Sequence, residues 1–97
     1  MTTLDALKAA RRLIAKGWTQ RTSALSSEGL IVSATSARAV KWCALGAIGA
    51  SVRSWRHRTA AMKALRKVRG RTQAEVVQAF TRAIRREQSR KTKKDRP

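Results

Sequence analysis

The chain is poor in the residues that most enzyme and metal chemistry requires. It has one cysteine, one histidine, no tyrosine and five acidic residues among 97. A single Cys43 excludes an internal disulfide, and its apolar surroundings predict a buried, reduced thiol. Four nitrogen or sulfur zinc ligands cannot be gathered from one cysteine and one histidine. Asp5, Glu28, Glu75, Glu87 and Asp95 are scattered along the chain, without the carboxylate cluster of a metal-dependent nuclease. A Ser-His-Asp or Cys-His arrangement would have to use His57, whose neighbours Arg56 and Arg58 would repel the imidazolium formed in catalysis. No Walker-type or dinucleotide-type glycine-rich loop is present. The expectation is a protein that is not an enzyme and carries no cofactor and no metal.

Long apolar runs are missing too. Trp42–Val52 is the longest, far short of the roughly 20 residues of a membrane span. The segment Leu4–Ile14 is interrupted by Asp5, Lys8, Arg11 and Arg12, unlike a secretory signal. A cytoplasmic protein without a membrane role is expected.

Positive charge is abundant. Twenty-three Lys and Arg against five acids leave a net charge of +18. The excess is uneven, +5 over residues 1–50 and +13 over residues 51–97. Like charge at this density repels itself in a compact fold, and a polyanion would relieve it. Arg outnumbers Lys fifteen to eight. Its planar, forked donors suit phosphates and guanine edges better than a merely solubilising surface requires.

With 42% apolar residues and 97 positions, one domain is expected, over residues 1–87, followed by a disordered basic tail at 88–97. The fold class read from periodicity is mainly α with minor β, about four helices around a short β-hairpin. Leu4, Leu7, Ala10 and Ile14 share one face of a helix over 3–16, with Thr3 as N-cap and Gly17 as its stop. Residues 18–25, a turn at 26–29 and Leu30-Ile31-Val32 fit a two-stranded hairpin. Residues 36–53 read as a helix apolar on all sides, hence central and buried. Within it Gly46-Ala-Ile-Gly49 fits close packing better than the exposed Gly-x-x-Gly clamp of an RNA-binding module. A third helix over 56–69 places Ala61, Ala64, Leu65 and Val68 inward and stops at Gly70. Thr72-Gln-Ala-Glu75 reads as a capping box opening a fourth helix over 73–87, with Val76, Val77, Phe80, Ala83 and Ile84 as its stripe.

Gly17-Trp-Thr-Gln20, the Gly29 turn and Trp42-Cys-Ala-Leu-Gly-Ala47 form a pattern over residues 11–50. It resembles a family of small uncharacterised bacterial and bacteriophage proteins with Gly-Trp-x-Gln and Trp-Cys-x-x-Gly-Ala segments. The resemblance implies helices around a short hairpin and carries over no activity and no functional residue. It also implies a family richer in acidic residues than 51–97, which makes the basic half a specialisation of this chain.

The function expected is therefore non-enzymatic binding of DNA or RNA through phosphate contacts. The candidate residues are Arg53, Trp55, Arg56, Arg58, Lys63, Arg66, Lys67, Arg69, Arg71, Arg82, Arg85, Arg86, Arg90 and Lys91. Trp18 and Trp42 are expected to anchor the core. Trp55 lies among arginines, and the sequence leaves open whether it stacks on an unpaired base or closes the core between two helices. An alternative partner is a host protein or nucleoprotein complex, on which a small phage or mobile-element inhibitor of the anti-CRISPR kind would dock.

Overall fold

The computed structural model describes residues 2–52, 54–65 and 72–94. Among them the element order is α1 (Thr3–Lys16), β1 (Ala24–Ser26), β2 (Ile31–Val32), β3 (Ala39–Trp42), α2 (Ala44–Ser51), α3 (Trp55–Leu65) and α4 (Gln73–Lys94). The fold is mainly α with a small antiparallel sheet, as the periodicity predicts.

Helix α1 is the hub. It packs against α2, α3, α4 and β3, and Ala6, Leu7, Ala10 and Ile14 are fully buried on its inner face. Thr2, not Thr3, is the N-cap. Its hydroxyl accepts from the Asp5 N–H at 3.1 Å while the Asp5 carboxylate accepts from the Thr2 N–H at 3.1 Å, a complete capping box. Gly17 ends the helix in extended conformation, its N–H donating to the Leu13 carbonyl. Its need for glycine is steric, because a Cβ there would run into the Val40 carbonyl.

The hairpin is present and belongs to a three-stranded sheet of order β2-β1-β3. Gly29 makes its turn at φ 80°, a left-handed conformation that glycine adopts without strain. Residues 39–42, expected to be helical, form β3 instead, with a register shift opposite Leu25/Ser26. Ala39-Val-Lys-Trp42 is too short to carry a helical period of its own, and here β-branched Val40 and the large Trp42 favour the strand. The Trp42 indole N–H donates to the Ala34 carbonyl at 3.0 Å, and the backbone of Gly17–Thr19 pairs with Trp42 along the outer edge of β3. Trp42 is buried and Trp18 half-buried against the core, so both anchor it.

Helix α2 is consequently short and one-sided. Gly46, Ala47 and Ile48 are buried, while Leu45 is exposed. The central helix is α1, not the 36–53 segment. Cys43 is half-buried and caps α2, its Sγ accepting from the Gly46 N–H at 3.2 Å. This corrects the expectation of a thiol sealed in a helix interior.

Helix α3 buries Ala61 and Leu65. Val68 and the Gly70 stop lie outside the described residues. Helix α4 buries Val76, Phe80 and Ala83, with Val77 and Ile84 packed at the margin. Thr72 accepts from the Glu75 N–H at 3.2 Å, the N-cap half of the expected box. The helix runs to Lys94 and not to 87, through Arg, Gln, Glu and Lys residues that are good helix formers.

Candidate nucleic-acid interface

Helices α1 and α4 run antiparallel. The Gln73 side-chain amide donates to the Ile14 carbonyl at 2.7 Å and the Ala15 carbonyl at 3.2 Å, tying the start of α4 to the end of α1. Further along, Arg11 Nε donates to Thr81 Oγ1 at 2.9 Å. This alignment sets the outer face of α1, with Lys8, Arg11 and Arg12, beside the outer face of α4, with Arg82 and Arg85. All five are exposed. On the far side of α4, Arg86 Nη2 donates to the Ala64 carbonyl at 2.9 Å, which brings exposed Lys63 to the edge of the same surface. A basic band thus crosses three helices.

The α1 cations were missed in the choice of candidates because the charge imbalance points to residues 51–97. The available signal was the polar stripe Lys8, Arg12, Lys16 of an amphipathic helix, whose position beside α4 depends on tertiary packing.

A second group lies at the start of α3. Trp55 is 70% exposed, so it does not close the core between helices. The Arg56 guanidinium lies 5.9 Å from the centre of its ring, a cation–π contact. Arg58 differs from its neighbours. It is half-buried, and its Nε donates to the Val52 carbonyl at 2.8 Å and its Nη2 to the Gly49 carbonyl at 3.2 Å. Those carbonyls belong to the last turn and C-cap of α2, where a cation both satisfies free acceptors and opposes the helix dipole. Arg58 therefore has a structural task that its place among surface arginines conceals.

The backbone of Arg90 and Lys91 continues α4. Arg53, Arg66, Lys67, Arg69 and Arg71 lie outside the described residues. Among the described residues, no helix is long and apolar enough to cross a membrane. No group of three potential metal-ligating side chains occurs there either.

The model of a family of unknown function, DUF6197, matches residues 1–69. The chain belongs to that family. The DUF6197 match is broader than residues 11–50, taking in α1, the sheet, α2 and α3. It stops before α4, so the band combines family elements with a helix beyond the matched region. No curated protein and no solved structure gives a significant match.

Proposed function

We propose that the protein binds nucleic acid without catalysing a reaction, through the band formed by Lys8, Arg11, Arg12, Lys63, Arg82 and Arg85. One observation carries this reading: the antiparallel α1–α4 pair, tied by Gln73 to Ile14 and by Arg11 to Thr81, holds exposed cations distant in sequence on adjacent helices. A solubilising surface requires no such convergence; exposed Asp5, one turn from Lys8 and held ionised chiefly by Thr2 and in small part by Lys8, makes the band predominantly and not purely basic. Phosphates along a strand or duplex would be met by donors on several helices, giving affinity that depends little on sequence.

The test is fluorescence anisotropy with a labelled oligonucleotide, comparing wild type with a variant carrying Arg12→Gln, Arg82→Gln and Arg85→Gln. These side chains are exposed and their loss should leave helicity intact. Removing three phosphate contacts should weaken binding to every sequence and lower the salt slope by about 3, near 0.9 per contact on B-DNA. Equal binding by the variant would remove the band from the interface.

A second reading, docking on a protein or nucleoprotein complex as a small inhibitor, draws on the outward face of the sheet. There Ile31, 77% exposed, stands opposite Leu25 in register, and Lys41 of β3 stands opposite Leu25 on its other side. If Ile31→Ser abolishes capture of one cellular protein while oligonucleotides fail to bind at all, this reading replaces the first.

A further inference from the structure

An open groove of about 420 Å³ lies between the hairpin and the C-terminal end of α2, lined by Thr22, Ser23, Ser33, Thr35, Ile31 and Arg58 among others. Its size is within the range of roughly 300–1,000 Å³ for small-ligand sites. The lining is unusual for a surface hollow. Four hydroxyl residues and one guanidinium converge on it, and the two hydroxyls of Ser33 and Thr35 are linked at 3.1 Å. The Gly49 and Val52 carbonyls orient Arg58 from one side, through Nε and Nη2. A guanidinium fixed in this way loses little side-chain freedom on binding.

Trp55 precedes Arg58 by three residues on α3, so the two side chains share one side of that helix. The indole is 70% exposed, with the Arg56 guanidinium 5.9 Å from its centre. An exposed aromatic one turn from the guanidinium of a donor-rich groove supplies the parts required to hold one nucleotide. The base stacks on the ring and the sugar-phosphate meets Arg58 and the hydroxyls. A base inside a duplex is already stacked on its neighbours and cannot reach the indole.

We infer that Trp55 and the groove lined by Arg58, one turn further along α3, together seat a single nucleotide of an unpaired strand, giving the protein a preference for single-stranded over duplex nucleic acid. The inference rests on the nucleic-acid reading and assigns it a substrate class. A phosphate bound near the end of α2 would be opposed by the helix dipole, and the full charge of Arg58 outweighs that partial charge.

The experiment uses the full chain with single-stranded and duplex 20-mers of equal sequence, in DNA and RNA form, at about 100 mM salt. Saturation with the single strand should quench tryptophan emission, and Trp55→Leu should remove most of that quenching. That substitution, at an exposed residue, should weaken single-strand binding by about 5- to 150-fold, as expected for loss of one stacked base, and change duplex binding by less than about twofold. Arg58→Ala also removes the cap on α2 and mixes binding with folding, so Thr35→Val is the second variant. It keeps the shape of the groove and should weaken the single strand selectively. If both forms bind equally and neither variant discriminates between them, the groove proposal is wrong while the basic band stands. If neither form binds wild type, the nucleic-acid reading itself is overturned.

Discussion

Two glycines three residues apart in α2 have opposite reasons for being there. A Cβ on Gly46 would run into the Ser23 carbonyl, so the helix can sit this close to β1 only without a side chain. A Cβ on Gly49 would meet nothing within 4 Å. Gly46→Ala should therefore destabilise the protein by at least about 1–3 kcal/mol through overpacking. Gly49→Ala should stabilise it by about 0.5–1 kcal/mol, because alanine is the better helix former. Chemical denaturation of the two variants measures the contrast, and equal effects would contradict the packing described. The apolar pattern around Gly46-Ala-Ile-Gly49 shows that close packing is needed, but not which glycine makes the approach. That depends on where Ser23 lies, a contact 23 residues away in sequence. Trp55 and Arg58 were similarly ambiguous. A Trp among arginines suits a core corner or a surface platform, and an Arg in the same run suits a ligand or a helix end. Only the position of α2 separates these.

At the scale of the element, α1 shows how closely local sequence can specify structure. Its apolar face, its capping residues and its glycine stop all agree, and the structure moves the N-cap by a single residue. The Asp5 carboxylate is held below its usual value, chiefly by the backbone hydrogen bond from Thr2 and then by the Thr2 side chain. A lowered folded value means that this contribution is fully present above the unfolded value of 3.8 and is lost as pH falls through the folded value. The N-terminal turn of α1 should loosen in that acid range. Asp5→Asn, which does not titrate there, should lack this step when amide exchange at Leu4–Leu7 is followed against pH. An identical acid profile in both proteins would contradict the capping role. β3 is the opposite case. Ala39–Trp42 and the helix after it read as one mostly apolar stretch, in which the single Lys41 does not mark the change from period 2 to period 3.6. The half-buried Cys43 makes that boundary as a cap, a role its weak acceptor sulfur does not advertise.

For the whole molecule, the strong positive charge was plain from composition, while its arrangement was not. Residues 51–97 contain most of the cations, yet the band that the structure assembles begins on α1. Arg11 reaches Thr81 across the α1–α4 seam, a pairing of residues 70 apart that no local pattern contains. Some of the charge is also diverted into the fold, since Arg58 and Arg86 donate to carbonyls near the ends of α2 and α3. The proposed interface thus includes cations of α1 that the charge imbalance over residues 51–97 does not single out. The measurement that tests the central claim most directly is the affinity of the intact protein for a nucleic acid as a function of salt. If each of the six cations of the band meets a phosphate, log affinity should fall linearly with log salt, losing roughly 10³ between about 50 and 200 mM. Binding that is absent at about 100 mM salt, or that does not change across this range, would contradict a phosphate-dominated interface.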